Sequence, residues 1–303
     1  MFEPGGVPVV WCPHYEVDIG DHVFPVEKYR LIKERLEASG VLSSADLRTP
    51  QPAKVEDVLR VHTRSYWTRI AEGTFTPNDE RLLELPFSPE LREASLLCAG
   101  GTTLAGHLAI SRGRSVHLGG GFHHAFADHG EGFCLLNDVA IAAATLIEAE
   151  EVDRILIVDL DVHHGNGTAS IFAKEARVFT FSMHHQWNYP ALKPPGDLDV
   201  GLDDGVGDEE YMQLLREHLP RILDEHEPQL ILYLAGADPY EADQLGGLRL
   251  SVEGLRERDE FVLNTATEAE TAVAVTLAGG YAIRPSDTVA IHCGTVEAAL
   301  AWR

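Results

Sequence analysis

Short β-branched runs alternate along this chain with longer stretches of helical periodicity. Near-continuous apolar runs fall at Val7–Cys12, Ser115–Leu118, Arg154–Val162, Val178–His184, Leu230–Ala237 and Ala272–Leu277. Apolarity on both faces over so few residues is how a strand reads when its sheet is covered on both sides. Between these runs, Tyr29, Ile32 and Leu36 recur at helical spacing, and Gly40 is placed to end that helix. Ser88-Pro89 has the form of an N-cap followed by proline at the first helical position, opening a helix to about Arg112. Asn137–Glu150, Asp208–Glu227, Ser251–Glu270 and Pro285–Trp302 read as further helices. Strand and helix alternate, so the predicted class is α/β with a mainly parallel sheet. No internal repeat or low-complexity linker divides the 303 residues, and a single domain over 1–303 is expected.

In such sheets ligands sit beyond the carboxyl ends of the strands. Four strand ends carry polar or ligand-type residues beside glycines. They are Gly119-Gly120-Gly121-Phe122-His123-His124, then Asp159-Leu160-Asp161-Val162-His163-His164-Gly165-Asn166-Gly167, then Ala235-Gly236-Ala237-Asp238-Pro239, and finally Gly279-Gly280-Tyr281. Asp161 and His163 stand two apart at a strand end, where pleating would point them the same way. Asp238 is a candidate third ligand. Three protein ligands with an open position is the pattern of a hydrolytic zinc site. The bland alternative is a buried Asp–His hydrogen bond, which the neighbouring histidines and Asp238 disfavour. No H-E-x-x-H, nucleophile elbow or Walker lysine loop is present. The acid-rich stretch Asp197–Glu210 lacks the EF-hand glycine and reads as a solvated loop. His14, His22, His107, His218 and His226 read as structural or surface histidines.

Composition adds less. Hydrophobic residues make up 45% of positions, enough for a packed core, and 24 basic against 48 acidic residues give a net charge of −24. That surface repels nucleic-acid backbones and anionic membranes; it is compatible with a cationic partner, though simple solubility or a salty habitat accounts for it more readily. The four cysteines, Cys12, Cys98, Cys134 and Cys293, form no C-x-x-C pair, so a reducing cytoplasm is the expected home. The opening MFEPGGVPVVWC lacks the pattern of a secretory leader. Runs such as Val139–Ile147 and Ile155–Val158 fall short of the ~20 residues a bilayer span needs, so no membrane span is expected.

The motifs GGGFHH, GEGFCLLNDVAIAA, VDLDVHHGNG and GADPYEADQLGG, with the opening Phe24-Pro25-Val26-Glu27-Lys28-Tyr29 and the closing Gly279-Gly280-Tyr281, resemble the histone deacetylase family within the arginase–deacetylase fold. The Phe before the double histidine and the F-P-x-E-K-Y opening are most similar to class IV members and their bacterial relatives. The resemblance implies a three-layer α/β/α fold and zinc-dependent hydrolysis of an Nε-acyl-lysine, of acetyl and longer acyl chains, or of an acylated polyamine. It implies that Asp161, His163 and Asp238 hold one zinc ion and that His124 is the general base. It also implies that His123 stabilises the developing oxyanion, that Tyr281 donates to it, and that Asp159 orients His123. Asn166 would orient His124, where class I members carry aspartate. A neutral amide stabilises an imidazolium less, so a lower His124 pKa is expected. Gly132 and Phe133 of the GEGFC motif, with Leu245 and, from a loop that aligns poorly, Tyr189, would wall an acyl-lysine channel. The family's potassium site would use Asp159 and Ser182, with backbone oxygens of Asp161, His163 and Met183. Competing readings are an acetylpolyamine amidohydrolase, a two-manganese arginase-like hydrolase, for which no second aspartate cluster is evident, and a catalytically silent acyl-lysine binding protein. The last needs a missing ligand, base or tyrosine, and none is missing.

Overall fold

The computed structural model describes residues 6–301. Its strands are β1 (Val9–Val10), β2 (Leu47–Arg48), β3 (Arg114–His117), β4 (Ile155–Asp159), β5 (Val178–His185), β6 (Leu198–Leu202), β7 (Leu230–Leu234) and β8 (Ala272–Thr276). All pair in parallel, in one sheet of order β2-β1-β3-β8-β7-β4-β5-β6. The helices are α1 (Lys28–Ala38), α2 (Val55–Val58), α3 (Arg64–Glu72), α4 (Pro77–Leu83), α5 (Pro89–Arg112), α6 (Asp138–Glu148), α7 (Asn166–Phe172), α8 (Asp208–His226), α9 (Val252–Glu268) and α10 (Pro285–Leu300).

Strand side chains alternate between two hydrophobic cores, which makes the three layers. Leu156, Val158, Ile231, Tyr233, Val273 and Val275 pack on the side of α1, α8, α9 and α10. Ile155, Ile157, Leu230, Leu232, Ala272 and Ala274 pack on the side of α3, α5 and α6. A fully buried side chain such as Ile157 or Leu232 contributes ~1.5–3 kcal/mol. The Ser88 cap is formed, its hydroxyl accepting from Leu91 N–H at 3.0 Å, with Pro89 at the first helical position.

Several expectations are corrected. β1 is only two residues long, since Pro8 has no N–H to give a ladder. β4 ends at Asp159, not Val162. The stretch read as a solvated acidic loop holds the edge strand β6 and the first turn of α8, whose Asp208, Glu209 and Glu210 favour a helix N-terminus. The short α2 and α7 and the two-residue edge strand β2 carry too little pattern to be read, whereas α3, bounded by Thr63 and Gly73, and α4, opened by the Thr76–Asp79 capping box with Pro77, carry cap signals that the reading passed over. Among the described residues α5 is long and apolar enough, by length and composition, to cross a membrane, which the shorter runs had not indicated. Its small residues Ala99, Ala105 and Gly106 are buried, and Leu146 of α6 packs over Gly106. Met1 and Trp302, the ends of two readings, lie outside the described residues.

Candidate active site

The four strand ends singled out in the sequence belong to β3, β8, β7 and β4, neighbours at the centre of the sheet. Their loops therefore meet in one crevice. At the end of β4, Asp159 Oδ1 accepts the Asp161 N–H at 3.2 Å, and Asp161 Oδ1 accepts the His163 N–H at 3.0 Å. These side-chain turns stop the strand and fold Asp161 and His163 together. Pleating is therefore not what brings them together. Asp238 follows β7 and its Oδ1 accepts the Val162 N–H at 2.9 Å.

Donor atoms of Asp161, His163 and Asp238 lie within 4.8 Å of one another, all buried. His163 Nδ1 stands 3.0 Å from Asp161 Oδ1 and 3.4 Å from Asp238 Oδ2. Asp238 Oδ2 is buried without a hydrogen bond. Burial, and then the charge of Asp161, hold the Asp238 carboxyl above the usual range. Burial lowers the His163 imidazole, but the two carboxylates outweigh it and push it up to about 10. Such a cage holds surplus negative charge and an unsatisfied oxygen, which a cation would relieve. Its donors and open side fit a hydrolytic metal ion. At Gly279 any Cβ would fall on the Asp161 and Asp238 carboxylates, and the Gly279 N–H donates to Asp161 Oδ2 at 2.8 Å.

His123 and His124 arrive on the loop after β3. Asp138 fixes that loop by accepting from the N–H groups of Gly121 at 3.0 Å and Phe122 at 2.7 Å. Asn137 caps α6 and donates through Nδ2 to the carbonyls of His123 and Ala125. Gly121, at φ 86°, meets the Ala278 backbone where no Cβ would fit. His123 Nδ1 is 2.7 Å from Asp159 Oδ2. Burial lowers its pKa, but Asp159 and Asp161 outweigh burial and raise it to about 9. His124 Nδ1 is 2.7 Å from Asn166 Oδ1, and its Nε2 is 3.1 Å from His123 Nε2. Its pKa is lowered well below the ordinary value, first by burial and then by His123 and His163. The Asn166 hydrogen bond pushes the other way and is outweighed.

Tyr281 closes the site from the loop after β8. Asp243 accepts its N–H at 2.6 Å, and Gln244 donates to its carbonyl. Asp243 also caps Leu245 N–H at 2.8 Å, so it serves the backbone. Two further buried cations hold the loops, and the sequence did not single them out for that task. Lys28 Nζ donates to Ala278 O at 2.6 Å and pins Ala278 at φ 52°. This contact ties the F-P-x-E-K-Y motif to the site; burial lowers the lysine to about 8. Arg258 Nη1 donates to Gly236 O at 2.7 Å and Leu160 O at 3.2 Å, bridging the loops that carry Asp238 and Asp161. Its charge is balanced by Asp259 at 2.8 Å.

Above the cage opens a cavity of about 580 Å³. Gly132, Phe133, Tyr189 and Leu245 all line it, together with Phe24, Phe122 and Asn188, which sequence reasoning missed. Tyr189 stands closer to the chemistry than expected, its ring 5.0 Å from that of His124. Asn188 secures that loop by donating to Leu245 O at 2.7 Å and Gly246 O at 2.6 Å. Phe24, Phe133 and Tyr281 meet edge-on or tilted, with centroids 6.0–6.2 Å apart. His22, read as a structural or surface residue, packs on Phe133 at 4.8 Å. Glu84 and Asp204 also line the cavity. Beneath the site, Asp159 and Ser182 are register partners across β4 and β5, with Met183 buried next to them. Ser182 Oγ lies 2.9 Å from His184 Nδ1, and His164 Nε2 lies 3.2 Å from Asp199 Oδ1; these two histidines and Asp199 form a second compact group of donors.

A buried carboxylate–imidazole cage with donors that fit a metal ion, a histidine pair and a tyrosine at the strand ends of a parallel sheet are the arrangement of a hydrolase of the deacetylase type. The histone deacetylase domain matches residues 22–295, and the chain belongs to the histone deacetylase family. An uncharacterized protein of Picosynechococcus is 42% identical over 95% of this chain and 96% of its own length. Histone deacetylase 2 of Arabidopsis thaliana is 29% identical over 91% of this chain and 74% of its own. A histone deacetylase-like amidohydrolase of Pseudomonas aeruginosa is 29% identical over 90% of this chain and 75% of its own. The crystal structure of the HDA15 HD domain superposes with a TM-score of 0.81 at 22% identity, covering 98% of this chain and 90% of that one.

Proposed function

We propose that this protein is a zinc-dependent amidohydrolase that removes acyl groups, acetyl and longer, from the Nε-amine of lysine. One observation carries the reading: the Asp161–His163–Asp238 cage, His123, His124 and Tyr281 converge under one apolar-walled cavity. Zinc in the cage would polarise the amide carbonyl and acidify a water molecule. His124, neutral and held through Nδ1, offers Nε2 to take a proton from the attacking water. As the oxygen–carbon bond forms, charge gathers on the former carbonyl oxygen. Tyr281 donates to that oxygen, and His123, held cationic by Asp159, stabilises it. The carbon–nitrogen bond then breaks, and the proton on His124 passes to the leaving amine. The aromatic side chains of Phe24, Phe133 and Tyr189 on the cavity wall suit a methylene stem. A potassium ion at Asp159 and Ser182, with carbonyl oxygens of Asp161, His163 and Met183, would brace β4 against β5. Four free, buried cysteines support a reducing, cytoplasmic setting, and the chain's motifs support class IV character.

An acylated polyamine is the second substrate reading. The carboxylates Glu84 and Asp204 at the cavity, with the net charge of −24, favour a substrate that carries further positive charge. The deciding experiment assays acyl-lysine peptides and acylated polyamines, from acetyl to myristoyl, with and without a hydroxamate chelator. Hydroxamate-sensitive release of free amine is expected. Binding of these ligands without any release would turn the protein into a silent acyl-lysine reader, and two manganese ions per chain would favour the arginase-like chemistry.

A further inference from the structure

Asn166 stands between two groups. Its Oδ1 accepts from His124 Nδ1 at 2.7 Å, and its Nδ2 donates to Glu131 Oε1 at 2.7 Å. The same carboxylate oxygen accepts from the Tyr189 hydroxyl at 3.1 Å, and Oε2 faces His129 Nε2 at 3.3 Å. Glu131 sits in a tight turn, its N–H donating to Cys134 O and Cys134 N–H returning to Glu131 O, on the segment that also presents Phe133 to the cavity. Burial works against its charge, but the bonds from His129, Asn166 and Tyr189 outweigh burial and keep it ionised at neutral pH.

A side-chain amide has two ends of nearly equal shape and opposite hydrogen-bonding character. Rotated by half a turn, Asn166 would offer its NH₂ to His124 Nδ1. The ring would then have to accept there and carry its proton on Nε2, the nitrogen needed free as a base. An ionised carboxylate only accepts, so Glu131 is compatible with one of the two orientations. In the other, two oxygens would face each other and a charge-assisted bond would be lost. We propose that Glu131 is a positioning residue: acting through Asn166, it secures from the Nδ1 side the His124 tautomer with the proton on Nδ1 and the lone pair on Nε2, which His123 Nε2, 3.1 Å away, favours from the other side when it carries a proton. The three side chains form one relay, His124–Asn166–Glu131. The carboxylate that class I relatives place at position 166 is here carried one residue further out. Asp159, Asp161 and Asp238 already crowd the site with negative charge, and the relay orients His124 without bringing another carboxylate onto it.

The inference rests on His124 serving as the base, and the test separates the two claims. Long-range ¹H–¹⁵N correlation spectra of the full-length protein read the His124 tautomer without any turnover. Turnover of an acetyl-lysine peptide is measured in parallel. The wild-type ring is expected as Nδ1–H. Glu131→Gln, which keeps shape and loses charge, and Glu131→Ala should each give a mixture containing Nε2–H. Both should lower kcat about tenfold, with KM and metal content unchanged. In the Asn166→Asp background a carboxylate already accepts from Nδ1, so Glu131→Gln removes a like-charge neighbour and kcat stays level or rises. A ring that remains Nδ1–H in both variants, or an equal loss of kcat in both backgrounds, would overturn the relay. Loss of the Nδ1–H tautomer in a protein without turnover would keep the relay and overturn only the deacylase reading.

Discussion

His123 and His124 are adjacent in sequence and stand ring to ring, with centroids 4.1 Å apart, yet the two arms that hold them differ. His123 is backed directly by the buried carboxylate of Asp159 at 2.7 Å. His124 is backed by a neutral amide, and the nearest carboxylate on that arm is one side chain further away. One imidazole is pushed up to about 9 and the other is driven well below its ordinary value. Two identical side chains thus take different charges at neutral pH, one suited to stabilise an anion and one to accept a proton. A divalent ion at Asp161 would pull both downward and leave their order intact.

The largest effects should come from the cage beneath both arms. Asp161→Ala and Asp238→Ala are expected to lose the metal and all measurable turnover, and full metal occupancy in either variant would sink the ligand assignment. Next, His124→Ala should cost about 10²–10⁴-fold in kcat, and Tyr281→Phe about 10²–10³-fold, each with metal content retained by elemental analysis. Loss of metal in these two would mean that they support the cage rather than the chemistry. The arms themselves are compared by exchanging their partners. Asp159→Asn should lower kcat about 10–100-fold, since it strips His123 of its charge. Asn166→Asp should shift the pH–rate profile. The base must be neutral to work, and a carboxylate beside His124 favours its imidazolium, so the acid limb moves to higher pH. An unmoved limb would show that the partner at 166 does not set the His124 pKa. Phe133→Ala, on the channel wall above both arms, should have the smallest effect, raising KM for acyl-lysine peptides with kcat unchanged.

Much of this was legible in the chain. The central strands announce themselves because both faces are buried, as Ile155–Val158 and Leu230–Leu234 show. The ligands announce themselves because their chemistry is confined to loops at strand ends. Edge strands were not legible: β6 alternates half-buried Leu198 and Val200 with exposed Asp199 and Gly201, which reads as a polar loop. The convergence of Asp161 and His163 was foreseen for the wrong reason, since Asx-type turns replace the pleat. Residues that act at long range left no local trace of their task, even where, like Lys28, they lie within a quoted motif. Lys28 lies 250 residues from Ala278, and Arg258 reaches carbonyls 98 and 22 residues away. Glu131 lies within a quoted motif, but its role depends on a contact to Asn166 that only the fold creates.

The four thiols give the molecule a built-in clock. Cys12, Cys98, Cys134 and Cys293 are all buried and unpaired. Burial pushes Cys98 and Cys134 well above the ordinary thiol range and Cys293 to about 11. A thiol reagent therefore waits for the fold to open before it can react. Each labelling rate counts the openings of one locality: the start of the sheet, the middle of α5, the turn beneath the channel and the heart of α10. Cys134, which donates to Gly132 O at 3.2 Å, times the segment that holds both Phe133 and Glu131. A ligand that fills the cavity should slow this clock while the other three keep their pace.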